Sequence, residues 1–173
     1  MTNSQHTHPV RITAEDARPI RHRVLRPGQP TDRLIYPGDD EPTTLHLGVR
    51  TPAGELVSVA SFYNEPMPGT DADAIRLRGM ATLPKHRSQG HGRRLIETAL
   101  AELVRADTEQ PTSLWCTART SASGYYERLC FIQHRALFEI PYIGPHAVMV
   151  RGEAQNRADC LASRTSNYHK PAG

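Results

Sequence analysis

At 173 residues the chain is sized for one domain, since domains run to about 100 to 200 residues, and a second full domain does not fit. With 38% hydrophobic and 23% charged residues, 12 glycines and 14 prolines, the composition is that of a globular protein and excludes collagen, a coiled coil and wholesale disorder. The 21 basic and 18 acidic residues leave a charge of +3, spread from Arg11 to Lys170 without a dense block, too little and too diffuse to argue for nucleic acid.

The start, Met1 to Pro9, is polar, has no apolar leader segment and reads as a loose arm. Val10-Arg11-Ile12 is a short strand. Thr13 or Asp16 then caps a helix whose apolar stripe is Ala17, Ile20 and Val24, with Pro19 expected in the first turn, where a missing N–H costs little. Pro27-Gly28 stops that helix. Its cluster Arg18, Arg21, His22, Arg23 and Arg26 reads as a solvated face, with recruitment of an acidic ligand as the alternative. Leu45, Leu47 and Val49 alternate, Thr51 to Gly54 turn, and Leu56 to Tyr63 resume as strand, which predicts an antiparallel hairpin.

From Ala74 to Leu83, Ile75 and Leu77 alternate with Arg76 and Arg78. The next large apolar residue after Gly79 is Met80, out of phase, which suggests a β-bulge. Leu95, Ile96, Ala99, Leu100, Leu103 and Val104 recur at helical spacing. Ser113 to Cys116 reads as a strand, Thr120 or Ser121 as the cap of a short helix ending at Leu129, and Phe131 to Ile140 and Ala147 to Val150 as two last strands. Residues 153 to 173 show no apolar periodicity and are expected to form a disordered tail. Cys116, Cys130 and Cys160 are odd in number and lack a CxxC pair, so neither a disulfide framework nor a zinc site is suggested and a reducing cytoplasm fits. No run of ~18 apolar residues predicts a membrane span.

Chemistry concentrates in Arg87-Ser88-Gln89-Gly90-His91-Gly92, a glycine-rich turn between a strand and an amphipathic helix. Glycine lets the backbone approach a ligand closely, and the N–H groups that open a helix converge on negative charge, so phosphate or pyrophosphate is the natural guest. It is not a Walker loop, because no Gly-Lys-Ser/Thr follows. It also fails the dinucleotide fingerprint, because Leu95 stands where the third glycine belongs.

The turn resembles the R/Q-x-x-G-x-G/A motif of the GNAT N-acetyltransferase superfamily, and Ala118 to Phe131, containing Tyr125-Tyr126 and ending Leu129-Cys130-Phe131, looks like that family's A-x-x-F-Y-x-x-x-G-F segment. The resemblance covers residues 10 to 151 and implies an α/β fold, a mixed, mostly antiparallel sheet flanked by helices with a bulged central strand. Residues 10–152 would be the N-acetyltransferase domain, between an arm at 1–9 and the tail at 153–173.

It implies acetyl-CoA as donor, held by Arg87, Ser88, Gln89, Gly90, His91, Gly92 and Arg93, with pantetheine beside Met80 and Thr82 and the thioester near the bulge. Tyr126 matches the tyrosine that gives a proton to the departing CoA thiolate. No metal is implied, and no nucleic-acid or membrane partner. The acceptor would be a small-molecule amine, and the family's common assembly is a homodimer. An acyl-CoA sensor without turnover, or an acyltransferase acting on a protein amine, is the alternative.

Cys130 stands where the family has glycine, so the chain there either avoids the left-handed region or accepts ~1 to 2 kcal/mol of strain. His91 is expected at solvent or beside a phosphate. His146, placed in the last interstrand connection with Gly144-Pro145, is a candidate base for the acceptor amine, against the alternative of a structural histidine.

Overall fold

A computed structural model describes residues 8–104 and 113–152. Among the described residues, eight strands and three α-helices give an α/β fold with a mostly antiparallel sheet. The described residues divide into two compact units, residues 8–65 with 76–104, and residues 66–75 with 113–152.

In the first unit, strand β1 (Val10–Arg11) leads to helix α1 (Ala14–Leu25). Thr13 is its cap: Thr13 Oγ1 accepts from the Asp16 N–H at 3.0 Å while Asp16 Oδ2 accepts from the Thr13 N–H at 3.1 Å. With the cap there, Pro19 falls in the second turn, not the first as expected, and forgoes one intrahelical bond. Strands β2 (Leu45–Arg50) and β3 (Leu56–Asn64) form the expected hairpin, Leu47 opposite Ala60, with a register shift at Val49/Arg50.

Residues 45–49 are all buried, so both hairpin faces are covered, and α1 and α2 (His91–Val104) both pack on β2 and β3. Leu95, Ile96 and Ala99 of α2 are fully buried. Beside β3 runs β4 (Ala74–Thr82). Gly79 in its interior is left-handed, φ +60°, a real break in the extended backbone. The phase slip that pointed to it is absent, however: Leu77, Ala81 and Leu83 keep alternate burial and Met80 is half-buried.

The second unit pairs β5 (Ser113–Arg119) antiparallel with β8 (Gly144–Arg151), Cys116 opposite Met149 and Arg119 opposite His146. Ala74, Trp115 and Val148 form its buried cluster, with Met67 and Val150 against it. Between these strands lie helix α3 (Ser123–Arg128), β6 (Ile132–Gln133) and β7 (Phe138–Ile140). No side-chain hydrogen bond caps α3, contrary to the expectation for Thr120 or Ser121.

The single strand predicted over Phe131 to Ile140 is two. β6 pairs with Val150 and Met149, β7 with His146, Pro145 and Gly144, and the intervening chain is exposed. The predicted tail, residues 153–173, and most of the arm at 1–9 lie outside the described residues. No helix among the described residues is long and apolar enough to cross a membrane.

Candidate functional site

The glycine-rich turn leaves its backbone open. Residues 87–90 are exposed, between a short 3₁₀ turn (Pro84–His86) and the first residue of α2. Gly90 is left-handed, φ +76°, and a Cβ there would meet only Arg94 Nη1 at 3.6 Å, so the space over it is open. The first intrahelical bond runs from the Arg94 N–H to the Gly90 carbonyl at 3.1 Å. The N–H groups before it open the helix, and Gly90 has no side chain to cap them.

The loop holds its own shape: Arg87 Nε donates to the Thr82 carbonyl at 3.3 Å and Gln89 Nε2 to the Lys85 carbonyl at 3.4 Å. Ser88 is left-handed at φ +62°. Gly92 is buried and Arg93 half-buried.

His91 corrects an expectation, being buried and not at solvent. Its Nδ1 accepts from Arg94 Nη2 at 2.8 Å, because a guanidinium can only donate, so Nε2 carries the ring hydrogen of the neutral form. That Nε2 has no hydrogen-bond partner among the described residues. Burial, then the charge of Arg94 and the neighbouring His86, hold the imidazole below its usual pKa.

Beside the loop, Met80 and Thr82 are half-buried, and Thr82 Oγ1 lies 2.7 Å from Ser58 Oγ. Gly79 is crowded by a group that sequence reading placed at solvent: a Cβ there would sit 2.6 Å from Arg21 Nε and 3.0 Å from Tyr36.

Arg21 is 0% exposed. Its Nη1 donates to Asp39 Oδ2 at 3.1 Å and its Nη2 to Ser61 Oγ at 2.6 Å, and Tyr63 donates to Asp39 Oδ1 at 2.5 Å. Burial alone would raise the Asp39 carboxyl. Hydrogen bonds from Tyr63 and the Tyr36 N–H, with the Arg21 cation, outweigh it and hold the group below the usual carboxylate range. Burial and Asp39 push the Tyr63 phenol up. His46 closes the cluster, Nδ1 2.6 Å from Ser61 Oγ and Nε2 2.9 Å from the Asp39 carbonyl.

In the second unit, Tyr126 is half-buried on α3, its ring edge-on to Tyr125 and Phe131 with centroids 5.5 Å away in each case. Cys130 takes the strained option, φ +68°. Its N–H reaches the Glu127 carbonyl at 3.0 Å and the Phe131 N–H reaches the Tyr126 carbonyl at 3.1 Å, a Schellman turn in which Tyr126 meets Phe131. That turn fixes the end of the helix carrying Tyr126.

Burial, then Cys116, raises the Tyr126 phenol well above its ordinary pKa, and Cys116 also hydrogen-bonds it. Cys130 is disulfide-bonded, which the cysteine spacing did not suggest. His146 lies within β8 and not in the connection before it. It is buried, and Nδ1 donates to the Gly144 carbonyl at 2.7 Å, which leaves Nε2 as the lone-pair nitrogen of the neutral ring.

Residues 40–143 match the model of the acetyltransferase (GNAT) domain. The chain belongs to the GNAT acetyltransferase family. The uncharacterized N-acetyltransferase YitI of Bacillus subtilis (strain 168) is 41% identical over 141 residues, 81% of this chain and 92% of that protein. Among solved structures, FeeM, an N-acyl amino acid synthase from uncultured soil microbes, superposes with a TM-score of 0.68 at 13% identity over 91% of this chain and 96% of that one. A chimera of the Vibrio cholerae spermidine N-acetyltransferase SpeG gives 0.61 at 14% identity, over 84% and 96%.

As a GNAT member the chain is an acyl-CoA-dependent N-acyltransferase. The family motif was legible because its residues are contiguous. The Arg21 cluster was not, since no local pattern announces a guanidinium whose partners stand 18, 40 and 42 residues away.

Proposed function

We propose that this GNAT protein transfers an acetyl group from acetyl-CoA to a primary amine of a small molecule by direct attack, with residues 10–152 as the catalytic domain. The open backbone cradle at Gly90 carries the donor half of this reading. Arg87, Ser88, Gln89, Gly90, His91, Gly92 and Arg93 would hold the pyrophosphate by backbone N–H groups and helix polarity, and Met80 and Thr82 would flank the pantetheine.

In the reaction the amine nitrogen forms a bond to the acetyl carbon as the carbon–sulfur bond breaks. The ammonium gives up a first proton before attack, and the departing thiolate takes a second from its donor. The nitrogen loses another as the amide forms, which replaces the one the donor gave, so one proton is released overall. Tyr126 is assigned the second proton: a phenol with its pKa raised by burial is fully protonated at neutral pH and is a donor, not a base. His146 is assigned the first, since an alkylammonium of pKa ~10.4 needs an acceptor near neutrality and Nε2 carries the lone pair. The proposal includes a cytoplasmic location, supported by the cysteine usage; the disulfide at Cys130 is the observation against it.

Thiol release from acetyl-CoA upon addition of amines tests the activity, and tight acetyl-CoA binding with no turnover across a broad amine panel would refute it. Tyr126→Phe should lower kcat ~10²-fold at unchanged donor affinity, with Tyr125→Phe nearly silent. The fall of kcat/KM toward acid pH should vanish in His146→Gln, and its survival would remove His146 from the mechanism.

A further inference from the structure

Arg78 stands directly before Gly79 on β4 and is half-buried. Its guanidinium carbon lies 4.7 Å from the ring centre of Tyr36 and 5.6 Å from that of Tyr63. Two aromatic faces fix the cation and strip part of its water but offer no oxygen to its N–H groups. Among the described residues it makes no hydrogen bond and no ion pair.

The nearby carboxylates are already held: Glu65 bonds Arg76 at 2.6 Å, and Asp39 takes Arg21 and Tyr63. The cations beside Arg78 are likewise matched by those same carboxylates, so the region keeps one surplus positive charge. A partly desolvated guanidinium without a counter-ion is costly, and the planar fork is the group that receives a carboxylate through two N–H donors.

We propose that the acceptor is an amine that also carries a carboxylate, an amino acid, and that Arg78 receives that carboxylate. One unmatched cation suits a monoanion and repels a polyamine. The inference rests on the acyltransferase reading above, in which the thioester lies near Gly79.

The test takes protein amino acids against the amines left when their carboxylate is removed, such as leucine against isoamylamine and phenylalanine against phenethylamine, with spermidine as the polycation. Each is assayed with acetyl-CoA by thiol release. The carboxylated partner should be favoured ~10²-fold in kcat/KM. Arg78→Gln should erase the preference through KM, leaving kcat within a few fold and the stabilisation by acetyl-CoA intact, and Arg78→Lys should retain part of it.

Equal or better turnover of the decarboxylated amines or of spermidine, acetylation of those amines with none of any amino acid, or a preference that survives in Arg78→Gln would overturn the proposal. Failure of the acyltransferase reading looks different, because no amine in the set, with or without a carboxylate, would then release thiol.

Discussion

Two parts of the first unit are built on opposite terms. The turn at 87–90 is exposed, shaped by bonds that span four or five residues, and left-handed at two positions out of four. The cluster of Arg21, Asp39, His46, Ser61 and Tyr63 is buried, and its members are drawn from α1, the following loop and the β2–β3 hairpin. A turn made of local bonds can be altered with little effect on the rest of the fold, whereas a buried ionic cluster cannot lose one member without leaving another charge unmatched. Changes in the turn should therefore register in donor binding, and changes in the cluster in folding.

The largest expected effect is Asp39→Ala, which leaves Arg21 buried without a counter-ion and should cost about 3 to 5 kcal/mol in denaturant unfolding. The double variant Arg21→Met/Asp39→Leu should be less damaged than either single change; additive losses would contradict the account of the cluster. The same carboxylate gives a pH signature. Its folded pKa is depressed, so its contribution is complete above the unfolded value of ~3.9 and is lost as pH falls through the folded one. Stability of the parent should therefore decline below about pH 4, and Asp39→Asn should flatten that decline.

Gly79→Ala comes next, at roughly 2 to 4 kcal/mol, because it combines left-handed strain with a contact at 2.6 Å against an arginine that is locked in place. Gly90→Glu should cost the apo protein only ~1 to 2 kcal/mol while abolishing the stabilisation by acetyl-CoA, ~2.7 kcal/mol at a hundredfold excess over Kd. A normal acetyl-CoA shift in that variant would remove the cradle from the donor site. Smallest is Ser88→Gly, which relieves φ +62° and should change stability by less than ~1 kcal/mol, with donor affinity as the sensitive readout.

The hairpin, α2 and the glycine-rich turn could be read from sequence because their signals repeat every two to four residues. Leu45, Leu47 and Val49 announce a strand, and Leu95, Ile96 and Ala99 a helix face, with no knowledge of what they touch. Arg21 sits among Arg18, Arg23 and Arg26, so local pattern assigned it to solvent; only the return of Asp39, Ser61 and Tyr63 in space makes it the most buried charge of α1. Of the two places expected for His91, solvent is the one excluded, since a loop motif does not show that the helix following it turns its first side chain inward. Cys130 carried both outcomes, and the Schellman bonds around Tyr126 and Phe131 decide for the left-handed one.

The hydrogen bonds through His46 close a ring. Arg21 donates to Ser61, whose hydroxyl is bonded to His46 Nδ1, and His46 Nε2 donates to the main-chain carbonyl of Asp39, whose carboxylate in turn receives Arg21. Residues 35 to 44 contain no helix or strand, yet the Tyr36 N–H is bound to Asp39 Oδ2 and the Asp39 N–H to the Tyr36 carbonyl, both at 3.0 Å. Opening this connection means breaking the whole closed circuit at once. Its amides at Tyr36 and Asp39 should accordingly exchange with solvent deuterium as slowly as those of the β2–β3 hairpin, giving an irregular loop the kinetics of a core strand.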